Sequence, residues 1–153
     1  MKGCIIKNDE ITIKDVYNII GDADNYNWLI TNIECYPNNQ EIVKVLDNEY
    51  CWIGGKELLD LLNKEEFQWI WGVFSAFPKQ ITLEEVIKYD YPYADGYTGF
   101  WENPITLQHP LAISEIVAWD GSLILVISSN NEVVNALLKN NTYVQDLEKY
   151  NMK

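Results

Sequence analysis

The stretch "FQWIWGVFSAF" (residues 67–77) constrains this chain more than any other. Read as an extended segment, it is apolar on both of its alternating faces. Phe67, Trp69, Trp71, Val73 and Phe77 fall on one side, and Ile70, Phe74 and Ala76 on the other. A strand with two apolar faces must be covered twice, so it belongs in the middle of a sheet. Pro78 ends it, because proline has no N–H to give a ladder. A chain of 153 residues with a 48% apolar share carries enough apolar surface for one sizeable core. One globular domain over residues 1–153 is expected.

Around this strand the pattern alternates between strands and helices. "GCIIKN" (residues 3–8) reads as a short strand. "IKDVYNII" has a helical apolar face of Val16, Tyr17, Ile19 and Ile20. "YNWLITNIECY" (residues 26–36) is aromatic and β-branched and stops at Pro37, which suits a strand. "EIVKVLDNEYCWI" predicts one or two short strands, one of them ending at Ile53. "GGKELLDLLNKEE" predicts a helix with Leu58, Leu59, Leu61 and Leu62 inward. Thr82 and Glu85 form a capping box that opens a short helix.

"AISEIVAWDGSLILVIS" is the clearest hairpin, because Asp120-Gly121 lies between two apolar runs and glycine accepts the positive φ of a type I′ turn. "SNNEVVNALLKNN" predicts a closing helix, with Ser129 and Glu132 as capping box and Val133, Val134, Leu137 and Leu138 as the buried stripe. From Thr142 the tail either docks as a last short helix or frays. The expected fold class is α+β, a mixed or mostly antiparallel central sheet of about five to six strands with helices packed against it.

Charge narrows the partners. The chain holds 23 acids against 11 bases, for a net charge of −12, and every base is a lysine. Without arginine it lacks the planar fork that grips phosphate, and without a basic patch it has no electrostatic footprint for nucleic acid. An anionic membrane surface is disfavoured for the same reason, and no stretch approaches the roughly 20 apolar residues of a membrane span. The opening "MKGCIIKNDE" has no long apolar region of a secretory signal, so a cytoplasmic protein is expected. Cys4, Cys35 and Cys51 show no C-x-x-C spacing and read as free thiols rather than a disulfide or zinc framework.

Catalytic equipment is sparse. His109 is the only histidine, which excludes any metal site needing two. It sits beside Pro110 in a loop, and no serine or cysteine stands in a nucleophile-elbow context. "WIGGKE" puts two glycines and Lys56 at a strand-to-helix junction, yet a phosphate-binding loop would need glycine where Tyr50 stands and Ser/Thr where Glu57 stands. "GDADNYN" lacks the register of a calcium loop. Glu65-Glu66 and Glu84-Glu85 are adjacent pairs, which point apart on a helix. No catalytic residue, metal site or cofactor is expected.

One segment remains, "YDYPYADGYTGFWENP" (residues 89–104), where six aromatic residues mix with acids, glycines and prolines. Tyr91, Tyr93, Asp95, Tyr97, Phe100, Trp101 and Glu102 are the candidate binding residues, since rigid rings bury area at low entropy cost and nearby acids meet basic groups on a partner. Stacking on a sugar ring is a second use of such rings. An Ω-loop packed by its own side chains over one sheet face is the third reading.

The closing segment "IVAWDGSLILVISSNNEVVNALLKN" (residues 116–140) resembles the end of small acidic proteins from Gram-positive bacteria, of uncharacterised families or of the immunity-protein type that neutralises toxins. That resemblance implies a non-enzymatic inhibitor and assigns no residue a role. The expected function is a protein-binding module that covers a basic protein such as a toxin. Two alternatives stay open. One is a small-ligand binder or enzyme with a pocket under residues 89–110, using Asp90, Asp95, Glu102 or His109. The other is a housekeeping or oligomerising domain of unknown function. The sequence sets no oligomeric state.

Overall fold

The two-faced strand organises the molecule. In the computed structural model, which describes residues 1–7, 9–140 and 142–153, it becomes β4 (Trp69–Pro78). It lies between β2 (Tyr26–Cys35) and β5 (Ser114–Trp119). The sheet continues through β3 (Tyr50–Gly54) beyond β2, and through β6 (Leu123–Ser128), β1 (Lys2–Ile6) and β7 (Val144–Asp146) beyond β5. The order is β3-β2-β4-β5-β6-β1-β7, and every neighbouring pair is antiparallel. β4 is thus an interior strand, but the middle place belongs to β5. The seventh strand is β7, whose three residues carry too short an alternation to be seen in sequence. β1 starts at Lys2 and ends at Ile6, and the Asn8 end of the expected strand lies outside the described residues.

One face of the sheet is covered by helices. α1 (Ile13–Ile20), α2 (Gln40–Leu46), α3 (Gly55–Lys64) and α5 (Asn131–Asn140) supply Val16, Tyr17, Ile42, Leu58, Leu62, Val134 and Leu137 to a core that includes Trp28, Ile30, Phe74, Ile116 and Val126 from the strands. Gly72 leaves room for Trp69 to lie across this face, where a Cβ would stand 3.1 Å from the indole. The opposite face carries Ile5, Val73, Val117, Leu125 and Ile127 on one side and Leu29 and Phe77 on the other. It is covered by the short helices α4 (Leu83–Val86) and α6 (Leu147–Asn151) and by the irregular segment 89–113. Among the described residues no helix is long and apolar enough to cross a membrane.

Two local expectations are corrected. Residues 40–46, rich in β-branched Ile42, Val43 and Val45, form α2 and not a strand. The Asn39 side chain accepts from the N–H groups of Glu41 and Ile42, and the Glu65 carboxylate accepts from those of Asn38 and Asn39. Capping from two directions, with Ile42 and Leu46 buried one turn apart, outweighs β propensity. At α5 the cap is Asn130, which accepts from Glu132 N–H at 3.1 Å, while the Ser129 hydroxyl donates instead to the Ile113 carbonyl. The Thr82–Glu85 capping box forms as expected, and the tail docks as β7 and α6.

The hairpin turn has both Asp120 (φ 52°) and Gly121 (φ 67°) in the left-handed region, with Ser122 N–H bonded to Trp119 O. The ladder closes at Trp119 opposite Leu123, so Ser122 is a third loop residue. A Cβ at position 121 would meet positive φ and the Gln68 amide at 3.1 Å. Gly121→Ala is expected to cost about 1–2 kcal/mol, read as a lower urea midpoint at unchanged slope.

Candidate functional site

Backbone that covers a sheet without regular structure must find partners for its own polar groups. Segment 89–113 meets a few of them in tight turns, one of them the 3-10 turn Gly99–Trp101, and others on side chains. β2 bulges between Thr31 and Glu34, and Asn32 adopts φ 52° there, a conformation asparagine tolerates better than most residues. Its Oδ1 then accepts from the N–H groups of Ala94 (2.8 Å) and Asp95 (2.9 Å). Thr31 Oγ1 donates to Pro92 O at 2.7 Å. Gln108 clasps Tyr93 in both directions, accepting from its N–H (3.0 Å) and donating to its carbonyl (2.8 Å). At the far end Asn151 donates to Phe100 O and Asn103 donates to Glu148 O.

The segment so held is core on one side and surface on the other. Phe100, only 1% exposed, packs with Ala94 and Ile105 against Ile5, Val73, Val117 and Leu125. Its place among the candidate binding residues is corrected, since a ring inside the core offers nothing to a partner. Half-buried Trp101 stands edge-on to Trp119 at 5.4 Å, which meets Trp71 at 5.5 Å. Tyr97 is half-buried between Phe100 (4.7 Å) and Tyr93 (5.4 Å), and Tyr91 leans on Tyr50 (5.5 Å). Tyr89 and Tyr93 are exposed at 42% and 46%, and Asp90, Asp95 and Glu102 are exposed beside them. The outward face is therefore made of tyrosine rings and carboxylates, the inward face of Ala94, Phe100 and Ile105.

Two buried titratable groups lie beneath. His109 is 1% exposed and sits edge-on between Phe77 and Tyr89. Its Nδ1 accepts from Leu111 N–H (3.1 Å), so Nε2 carries the proton and donates to Val86 O (2.8 Å). Burial lowers its pKa, and both nitrogens are occupied in the neutral form. It ties the segment to α4 and has no free nitrogen for proton transfer to a substrate.

Glu115 on β5 is fully buried, and burial pushes its carboxyl up to about 7 against the favourable contacts of Gln108. Oε2 accepts from Gln108 N–H at 3.0 Å, and Oε1 has no hydrogen-bond partner among the described residues. Sequence reasoning passed over it. The signal was present in "SEIVAW", where Glu115 shares the alternation of Val117 and Trp119 and so takes a core-facing place.

A cleft lies elsewhere among the described residues. It measures about 580 Å³ and opens by the hairpin tip, with Ile11, Phe67, Trp69, Leu123, Asp9 and Glu66 among its walls. Beneath segment 89–113 the space is taken by Phe100, Ala94 and Ile105. Among the described residues no group of three or more His, Cys, Asp or Glu is placed to hold a metal ion. Burial raises Cys4 to about 12 and Cys35 and Cys51 to about 11, which keeps the thiols protonated near neutral pH.

Compared with known proteins, residues 3–93 match the family model described as "Protein of unknown function (DUF2691)". That span runs from β1 through α4 to Tyr93. No curated protein and no solved structure matches.

The inward and outward rings should separate in denaturation. Phe100→Ala is expected to lose about 3–5 kcal/mol, whereas Tyr93→Ala stays within about 1 kcal/mol of the parent. Equal losses would show that Tyr93 is also core. His109 has a signature in pH. Its folded pKa lies below the ordinary 6.5, so the unfolded chain takes up the proton first. Its contribution is complete above pH 6.5 and falls away below it. A His109→Gln variant, followed by urea titration from pH 7 to 5, should lose less stability over that range than the parent.

Proposed function

The chain belongs to the DUF2691 family, and we propose that it is a non-enzymatic protein-binding module whose tyrosine and carboxylate surface on segment 89–113 covers a basic protein. An immunity protein masking a toxin in the bacterial cytoplasm is the form this reading takes. The observation that carries it is the outward face of the segment. Tyr89 and Tyr93 are exposed, Tyr91 and Tyr97 stand half-buried beside them, and Asp90 and Asp95 lie between.

Physical reasons support this use of the surface. Residues 89–104 hold three carboxylates and no base, in a chain of net charge −12. Such a field speeds encounter with a cation-rich partner. The side-chain clasps from Asn32, Thr31 and Gln108 hold the backbone in place before binding, so little ordering entropy is lost on docking. Tyrosine supplies large contact area with few rotatable bonds. The buried groups offer no competing chemistry, because His109 has both nitrogens bonded and Glu115 is sealed from solvent.

The test first asks whether a basic protein is encoded beside this chain, which the reading requires, and takes that protein as the partner. Association should slow by about tenfold or more between about 50 and about 500 mM salt. An Asp90→Asn, Asp95→Asn double variant should flatten that dependence, and Tyr93→Ala should weaken affinity by about 1–2 kcal/mol or more. A salt-independent rate would sink the electrostatic part of the reading, and failure of the parent chain to form a complex would sink the whole.

A further inference from the structure

Glu115 lies at the base of the candidate surface with nothing to balance a charge. β4 presents Ser75, its direct cross-strand partner, with Cβ atoms about 4.5–5.5 Å apart for such a pair. The Ser75 hydroxyl is fully buried and, like Glu115 Oε1, has no partner among the described residues. β6 presents Ile127. The covering segment presents Gln108, bonded to Oε2, and Tyr97, whose phenol is raised by burial first and then by the Glu115 charge. His109 follows Gln108 in the chain, but its nitrogens are committed to Val86 and Leu111. None of these groups is a cation. Among the described residues, the hydrogen bonds that lead from the carboxyl to the surface run through Gln108, whose backbone holds Glu115 and whose side chain holds Tyr93 twice.

We propose that Glu115 is a proton switch for the covering segment: neutral, it anchors residues 89–113 on the sheet, and ionised, it releases them and the tyrosine surface with them. With Oε2 accepting from Gln108, the proton of the neutral acid sits on Oε1, which has no hydrogen-bond partner among the described residues and is left without a charge to stabilise once the acid is neutral. When the O–H bond breaks, the proton goes to solvent and its electron pair stays on the carboxylate. Gln108 alone then faces the buried charge, and its favourable contacts do not offset the cost of burial. Lifting Gln108 brings water to that charge, and the clasp on Tyr93 opens in the same motion. The link to a partner rests on the binding function proposed above, while the release itself is a property of the free chain.

Amide hydrogen exchange on the free full chain, for the parent and Glu115→Gln at pH 6 and pH 8.5, tests it. With the carboxyl titrating at about 7 when covered and 4.5 when open, linkage sets the expected size. The opening constant of the parent divided by that of the variant should rise about tenfold between the two pH values. The ratio should show this rise at the amides of Tyr93, Ala94 and Gln108. His109 is present in both proteins and cancels. These amides should also open more readily than Val126 in the sheet. A flat ratio overturns the switch, and so does exchange of the segment no faster than Val126, since release would then be global unfolding. Should the glutamine variant fail to fold, Glu115→Met, uncharged at every pH, replaces it. Exchange that follows the expectation in a chain that binds no basic partner would refute the binding function and leave the switch standing.

Discussion

β4 needs cover on both faces, and the rest of the structure follows from that need. Burying Phe74 and Ala76 on one side and Val73 and Phe77 on the other removes both sets of side chains from water. That is the main favourable term in forming such a sheet. Amphipathic helices do this readily on one face because their backbone bonds are internal. The second face is covered mostly by residues 89–113, which have little internal backbone bonding. Their donors and acceptors are therefore taken up largely by Thr31, Asn32, Gln108 and Asn151, while Asn103 ties the segment to the Glu148 carbonyl of α6. The bulge in β2 belongs to this solution, since it turns Asn32 toward two amides of the covering segment.

A cover built this way has two chemically different sides. Ala94, Phe100 and Ile105 complete a core, while Tyr89, Tyr93, Asp90 and Asp95 face water on the same stretch of backbone. The surface is therefore as well placed as the core beneath it. Its two buried titratable residues press on it in opposite pH directions. His109 can donate to Val86 on α4 in either state but accepts from Leu111 N–H only while neutral, and burial disfavours its charged form, whereas Glu115 sits comfortably only while protonated. Both act through residues 108 and 109, where the polar bonds of the segment converge.

Local signals were legible wherever neighbouring residues decide the outcome. The Asp120-Gly121 turn, the Thr82–Glu85 capping box, and the leucine stripe of α3 could be read directly. Each depends on contacts within a few residues. α2 was misread because its cap includes Glu65, more than 20 residues away, and its β-branched content argues the other way. β7 was missed because three residues carry no periodicity, and only the open edge of β1 makes them a strand. Glu115 was passed over although its alternation was visible, because a carboxylate on a core face is so costly that the eye assigns it to water.

By itself, then, the sequence determined the fold class, the two-sided burial of β4, the turn and helix ends, the acidic surface, and the absence of a multi-histidine centre. These rest on composition and on contacts between residues close in the chain. Only the tertiary structure decided that β5 stands in the middle of the sheet. Only it separated Phe100 from Tyr93 within one aromatic run, and put Glu115, Gln108 and Tyr93 in one line. Those outcomes depend on which distant strand faces the loop. Alternation states that a side chain points inward, but not what it will meet there.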